Sequence, residues 1–190
     1  MKKTATYQMA AAGLMAALTC IFGPLSLAIP VSPVPISLTN LVIYLSVYLL
    51  GWKLGCISYL VYLLLGLAGL PVFSGFTGGA GKLLGPTGGY LIGFIFMAAV
   101  CGFFFERFGN RATDFAGMLL GTAVAYLFGT VWLACQAGMT FGEGLAAGVI
   151  PFIPGDLVKI ILILLLGPEV RKRLAKAGIS FYVRRGRNEA

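Results

Sequence analysis

Six apolar segments follow one another along this sequence, separated by short stretches rich in glycine, proline or charge. Hydrophobic residues make up 59% of the 190 positions and charged residues 11%, whereas a soluble domain carries about a quarter charged residues. A helix needs about 20 apolar residues to cross the hydrocarbon core of a bilayer. We therefore predict a single all-α integral membrane domain of six transmembrane helices in contact with membrane lipid. The predicted spans are residues 7–29, 36–50, 54–70, 89–105, 115–137 and 155–174.

The basic residues are distributed unevenly over this six-helix layout. Lysine and arginine number 14 against 6 acidic residues, for a net charge of +8. All but two of them, Lys82 and Lys159, fall on the side that holds both termini. Because cytoplasmic loops carry the excess of Lys and Arg, we predict cytoplasmic termini and a basic cytoplasmic tail at residues 178–190. No alternation with aromatic residues suggests a nucleic-acid-binding face, so no nucleic acid partner is expected.

The residue types present argue against metal and nucleophile chemistry. The chain has no histidine, and its four cysteines lie in apolar segments without C-x-x-C spacing. Histidine is the commonest metal ligand and the usual base of catalytic triads, and buried cysteines of this kind behave as small apolar side chains. We therefore predict no cofactor, no metal site and no enzymatic activity.

A charged pair lies in the last apolar segment. Pro154 precedes Asp156 and Lys159, and residues 160–166 are all apolar. Proline in a first turn and Asp near a helix N-terminus favour a helix start here, which places Asp156 and Lys159 three residues apart on one helix face. Lys159 then lies about 18 Å from the basic end of the segment at Arg171, within the hydrocarbon core.

Two interpretations of this pair are open. A charge in the hydrocarbon core costs about 3 kcal/mol or more, so charged residues at this depth usually face a cavity. The pair is either a structural ion pair that neutralises itself, or part of a binding site. In a binding site, Lys159 and the helix N-terminus hold a carboxylate while Asp156 accepts hydrogen bonds from N–H groups of the ligand. By the predicted topology such a site opens to the outside.

A glycine-rich stretch at residues 74–82 joins the third and fourth spans. It differs from a phosphate-binding P-loop because Phe76 stands in place of the first glycine and Leu83 in place of the magnesium-binding Ser or Thr. Its composition is typical of a flexible lid whose backbone N–H groups can reach a ligand. The same composition is equally typical of a solvated connector.

Small residues cluster in the first apolar segment, where Ala12 and Ala16 lie one helical turn apart. This spacing allows the backbone of another helix to approach closely, either in a partner protein or inside the same bundle. Lys2 and Lys3 before the segment also resemble the start of a signal peptide. Residues 26–28 form a poor cleavage site, so we expect a retained helix.

Four stretches of the sequence carry a further pattern: PVPISL at 33–38, GLAGLPVF at 66–73, GPTGGY at 85–90 and FIPGDLVK at 152–159. Together with the six-span layout they resemble the BioY family, the biotin-binding S components of energy-coupling factor (ECF) vitamin transporters. The resemblance covers residues 10–174. It implies a six-helix S component in a prokaryotic plasma membrane, which binds biotin at its outer face and delivers it through an ATP-driven module.

The resemblance also implies site residues. The family's Asp and Lys ligands correspond to Asp156 and Lys159, and its glycine-loop Asn corresponds to Thr77. Thr39 is a second departure, since the family tends to have Gln there. The predicted substrate-binding set is Asp156, Lys159, Thr77, Gly78, Tyr90 and Gln136.

The implied partners are biotin, the ECF transmembrane subunit and separate ATPase subunits, and a homo-oligomer is also open. The family's docking motif on the first helix, AxxxA, corresponds to Ala12 and Ala16. Charge favours Lys159 as the partner of the biotin carboxylate, with the urea oxygen as the alternative. Other functions left open are an S component for another small vitamin, an intramembrane enzyme using Asp156 or Glu143, and a membrane scaffold.

Overall fold

The computed structural model describes residues 2–30, 32–179 and 181 of the chain. This part of the chain forms eight helices and one two-stranded antiparallel sheet. The helices are α1 (Lys2–Phe22), α2 (Thr39–Leu50), α3 (Trp52–Leu67), α4 (Ala80–Leu84), α5 (Gly88–Arg107), α6 (Arg111–Ala137), α7 (Phe141–Gly148) and α8 (Ile153–Lys176). The strands are β1 (Ser26–Leu27) and β2 (Ile36–Ser37), with Ser26 opposite Ser37. Most of the predicted tail at 178–190 lies outside the described residues.

The first helix is shorter than the predicted span 7–29. α1 ends at Phe22, and the next residue, Gly23, is packed so closely that it has no room for a side chain. Pro24 cannot continue a helix, because it lacks the backbone N–H and its ring clashes with the preceding turn. The chain then forms β1, which pairs with β2. Because residues 36 and 37 form β2, α2 begins at Thr39 and not at residue 36.

A sharp turn at Gly51 separates α2 from α3, which is where the sequence predicts one. Gly51 has φ +85°, in the left-handed region that glycine enters at no steric cost. One turn into α3, a Cβ at Gly55 would lie 2.6 Å from the Val47 side chain. The two helices therefore pack against each other directly after the turn.

Glycines also line the contact between α5 and α6. A Cβ at Gly93 would lie 3.0 Å from the Ala125 backbone, and one at Gly121 would lie 2.6 Å from the Cys101 sulfur. Small residues of this kind let two helix backbones approach closely. The buried core beside this helix pair contains large side chains from five helices, α2, α3, α5, α6 and α8: Tyr44, Tyr48, Tyr59, Tyr62, Met97, Phe105, Met118 and Ile160.

Two described helices, α5 and α6, are each long and apolar enough to cross a membrane. α7 and α8 meet at a bend of 53° and form a third such span if they are taken together. The 12 residues of α2 reach about 18 Å at 1.5 Å per residue, less than the roughly 30 Å of a hydrocarbon core. The helical architecture thus agrees with the sequence, while six membrane crossings and cytoplasmic termini stay predictions.

Two of the connections between the predicted spans contain a short helix. α4 lies within 71–88 and α7 within 138–153. α7 begins with a capping box, in which the Thr140 N–H donates to the Glu143 carboxylate at 2.8 Å and the Glu143 N–H donates to the Thr140 hydroxyl at 3.3 Å. The exposed Glu143 is therefore a helix cap, which gives no support to the hypothesis that it is a catalytic acid.

Ala12 and Ala16 lie inside the bundle, which favours internal packing and gives no support to the prediction that they form a docking face. Their exposed fractions are 5% and 2%, and α1 packs against α2 and α3. Residues 12, 15, 16 and 19 share the inward face of α1, at the spacing of one helical side. The small residues on the outward side of this helix are Ala10, Gly13 and Ala17.

Candidate binding site

A cavity lies where α2, α5, α6 and α8 approach one another next to β2. Its lining is Val34, Pro35, Ser37, Thr39, Asn40, Tyr62, Ser74, Thr87, Tyr90, Leu91, Phe94, Tyr126, Phe152, Asp156 and Lys159. The cavity has a volume of about 60 Å³, less than the roughly 150 Å³ of an engineered protein cavity that binds benzene. A ligand of vitamin size therefore requires the surrounding loops or side chains to move apart.

The predicted charged pair lies on the wall of this cavity. The Lys159 Nζ atom is 2.9 Å from Asp156 Oδ1, and each residue is 7% exposed. α8 carries both Pro154 and Asp156 in its first turn, as the sequence predicts. The pair neutralises itself and also faces a cavity, so both interpretations drawn from the sequence describe part of the arrangement.

Asn40 connects the two charges from the first turn of α2. Its amide nitrogen donates to Asp156 Oδ1 at 2.8 Å, and its amide oxygen accepts from Lys159 Nζ at 2.9 Å. The remaining Lys159 hydrogen bond goes to the backbone oxygen of Ser37 at 2.7 Å, so all three ammonium hydrogens have acceptors. The sequence analysis missed Asn40. The available signal was an amide side chain at the head of an otherwise apolar helix, which is rare in a membrane unless it has a partner.

Tyr126 completes the arrangement from α6. Its hydroxyl donates to Asp156 Oδ2 at 2.7 Å, so both carboxylate oxygens accept hydrogen bonds. We refer to Asn40, Tyr126, Asp156 and Lys159 as the polar cluster. Charge-assisted hydrogen bonds are stronger than neutral ones, and here they hold a buried acid and a buried amine in one fixed geometry.

The rest of the cavity wall is mainly aromatic and aliphatic. Tyr90 was predicted as a site residue and contributes its ring, because its hydroxyl is directed away to donate to the Gly148 backbone oxygen at 2.8 Å. Glycine at positions 129 and 148 makes room for this ring, since a Cβ at either would collide with Tyr90. Phe94 and Phe152 add further apolar surface.

Three predicted site residues lie outside the cavity lining. Thr77 is exposed, and its hydroxyl donates to the Ser74 backbone oxygen at 3.0 Å; from this loop it is Ser74 that lines the cavity. Gly78 packs against the backbone of Leu70. Gln136 is exposed in the last turn of α6, ten residues, or about 15 Å, beyond Tyr126 along the helix. The structure therefore does not place Thr77, Gly78 and Gln136 on the cavity wall.

The cavity combines a compact polar region with a larger apolar wall. The polar cluster presents an acceptor, the Asp156 carboxylate, immediately beside donors on Asn40, Tyr126 and Lys159. It is neutral as a whole, since one positive and one negative side chain face each other. Such a site suits a mostly apolar ligand carrying a neutral group that both donates and accepts hydrogen bonds.

Comparison with known proteins identifies related chains. Residues 1–176 match the family model described as the BioY family. A biotin transporter BioY of Thermotoga maritima is 37% identical over 165 residues, covering 87% of this chain and 96% of the relative. A biotin transporter BioY of Lactococcus lactis subsp. cremoris is 36% identical over 190 residues, covering 96% of both chains.

A solved structure is similar in fold. It is described as the crystal structure at 2.1 Å of the S-component for biotin from an ECF-type ABC transporter. It is 34% identical, covers 90% of this chain and 94% of its own chain, and has a TM-score of 0.84. The predicted all-α membrane fold of an S component is thereby confirmed, and the whole-length similarity establishes that the chain belongs to the BioY family.

Proposed function

We propose that this chain is the substrate-capture subunit of a biotin uptake transporter and that biotin binds in the cavity beside the polar cluster. The observation that carries the proposal is the buried Asp156–Lys159 pair, joined by Asn40 and Tyr126, on the wall of a mainly apolar cavity. The relatives described as biotin transporters supply the identity of the ligand. Those relatives are transporters and not enzymes, which agrees with the lack of acid–base machinery predicted from the sequence.

The chemistry of biotin supports one orientation over the other. Its urea group offers two N–H donors and one carbonyl acceptor, which complement the Asp156 carboxylate and the donors of the polar cluster. A ligand carboxylate beside Asp156 would instead bring two negative charges together in a site of low dielectric. We therefore infer that the urea meets the polar cluster and that the fused ring and aliphatic chain lie against the aromatic wall.

Delivery of biotin requires further subunits, which we propose are an ECF transmembrane subunit and separate ATPase subunits. The solved relative is described as part of an ECF-type ABC transporter, and the glycine-rich stretch of this chain lacks the P-loop spacing. The outward side of α1, with Gly13 and Ala17, is the surface of that helix on which a partner helix could pack closely. This proposal includes a plasma-membrane location with the termini in the cytoplasm.

Isothermal titration calorimetry on the purified full-length chain tests the proposal directly. We expect biotin to bind more tightly than other small vitamins, and Lys159→Met to weaken biotin binding by about 2 kcal/mol or more, about 30-fold. Lys172→Met is a matched control, because Lys172 is exposed on the same helix. If a folded Lys159→Met variant keeps its full affinity, Lys159 is not part of the site. If another vitamin binds more tightly, the chain is not a biotin subunit.

A comparison of biotin with biotinamide tests the orientation. Biotinamide keeps the urea but replaces the charged carboxylate with a neutral amide. If the urea meets the polar cluster, Lys159→Met weakens both ligands by the same factor. A clearly smaller loss for biotinamide would mean that Lys159 contacts the carboxylate.

A further inference from the structure

A second feature of the molecule combines positive charge with exposed aromatic rings, at the junction of α3 and α5. The backbone N–H of Trp52 donates to Glu106 Oε1 at 2.9 Å, and Gly102 leaves room for Trp52 to pack against α5. Lys53 and Arg107 directly follow these two bonded residues. The first turn of α3 and the last turn of α5 therefore present two cations at the same end of the bundle.

Exposed aromatic side chains lie close to these cations along the chain. The Lys53 Nζ atom lies 5.6 Å from the centroid of the Trp52 ring. On α5, the Phe103 ring packs edge-on against Phe108 with centroids 6.4 Å apart, and both rings are exposed to the outside of the bundle. We refer to Trp52, Lys53, Phe103, Arg107 and Phe108 as the basic aromatic surface. Tryptophan and other amphipathic aromatics favour the level of the lipid headgroups.

An apolar stripe continues from the basic aromatic surface along α3. Ile57, Leu60, Val61 and Leu64 are all exposed and follow Lys53 at intervals of four, seven, eight and eleven residues. At 3.6 residues per turn these positions share one face of the helix. The face thus places a cation at one end and aliphatic side chains over the next three turns, which matches a molecule with an anionic head and a hydrocarbon chain.

We propose that this face binds an anionic phospholipid of the leaflet at the α3–α5 junction. Lys53 and Arg107 attract the phosphate, the indole of Trp52 lies at the headgroup level, and the acyl chain follows the α3 stripe. The acid at this junction, Glu106, is engaged by the Trp52 N–H. Arg111, exposed at the start of α6, adds to the positive potential. The proposal depends only on the membrane location of the chain and not on the ligand of the cavity.

Fluorescence quenching tests this proposal, because the chain has two tryptophans, Trp52 and Trp132. In a full-length Trp132→Phe background, Trp52 is the single reporter. The protein is reconstituted with phosphatidylcholine containing a small fraction of either brominated phosphatidylglycerol or brominated phosphatidylcholine. We expect the brominated phosphatidylglycerol to quench Trp52 more strongly at the same mole fraction, corresponding to a preference of about fivefold for each cation.

Two double variants with the same change in net charge distinguish binding at this face from general charge attraction. Lys53→Gln with Arg107→Gln should abolish the preference for phosphatidylglycerol, whereas Lys172→Gln with Lys176→Gln, on exposed positions of α8, should leave it intact. Equal loss in both double variants would mean general charge attraction and would overturn the proposal. An unchanged preference in the first double variant would also overturn it. The proposal would also be overturned if excess inorganic phosphate removed the preference for phosphatidylglycerol. The same holds if the first double variant kept this preference and lost only co-purification of a partner protein.

Discussion

The Asp156–Lys159 pair allows a stringent test, because removing both charges together should cost far less stability than the two single removals added together. Lys159 is 7% exposed and makes hydrogen bonds of 2.7, 2.9 and 2.9 Å. In Asp156→Leu the ammonium keeps two neutral acceptors but loses its counter-charge, and in Lys159→Met the carboxylate is left buried and unpaired. Breaking one side of a buried pair typically costs about 3–5 kcal/mol. We expect a loss of that size in the free energy of unfolding for each single variant.

The double variant Asp156→Leu with Lys159→Met removes both charges at once. It leaves only neutral groups without their partners, chiefly the Asn40 amide and the Tyr126 hydroxyl, and both line a cavity in which water can replace the lost bonds. We therefore expect the free energy of unfolding of the double variant to fall by no more than about 3 kcal/mol. This loss is below the upper end of the range expected for either single variant and far below the sum of the two single losses. It should also have no measurable affinity for biotin.

The assay is reversible unfolding in detergent micelles for the four proteins, followed by biotin calorimetry on each folded protein. The double-mutant cycle then gives the coupling energy between the two residues, which we expect to be about 3 kcal/mol or more in favour of the pair. Additive losses in the two single variants would refute the reasoning that each charge is buried against the other. A double variant that folds and still binds biotin would show that the pair is structural only.

Three further predictions concern single residues. Tyr126→Phe removes one hydrogen bond to the Asp156 carboxylate, a bond worth about 1.5–3 kcal/mol when the acceptor is charged, so the free energy of unfolding in micelles should fall by about that amount. An unchanged free energy of unfolding would contradict this assignment of the bond. Gln136→Ala should leave the affinity for biotin unchanged in calorimetry, because Gln136 lies outside the cavity. A clear loss of affinity would show that Gln136 contributes to the binding site. Ala16→Leu should lower the free energy of unfolding by about 1–3 kcal/mol, because the larger side chain overpacks the inward face of α1. Ala17→Leu, on the outward face, should leave the stability unchanged and reduce co-purification with the partner membrane subunit. Equal stability of the two variants in thermal unfolding would contradict the assigned faces of α1.

Features that depend on residues close together in the chain could be predicted from the sequence. The apolar segments predicted a helical membrane protein, and Pro154 with the following acid predicted where the last long helix begins. Asp156 and Lys159 are three residues apart, so a helix alone brings them together. The turn at Gly51 likewise follows from a local backbone requirement, since a positive φ favours glycine.

Contacts between segments that are distant in the chain could not be predicted from the sequence. Asn40 is 116 residues from Asp156 in sequence and Tyr126 is 30 residues away, and no local pattern shows that they meet. Thr77 and Gln136 have suitable polar side chains, but their elements direct them outside the cavity. The helix at 80–84 and the strand pairing of residues 26–27 with 36–37 also depend on neighbours supplied by the folded chain.

The sequence by itself determined that this chain is a bundle of apolar helices with an acid and an amine one turn apart in the last of them. Only the tertiary structure decided which side of each helix faces inward. In a soluble protein the polar side of a helix reveals its orientation, but in lipid both sides are apolar, as they are in α1. That is why Ala12 and Ala16 could not be distinguished from Gly13 and Ala17 until the packing of α1 against α2 and α3 was known.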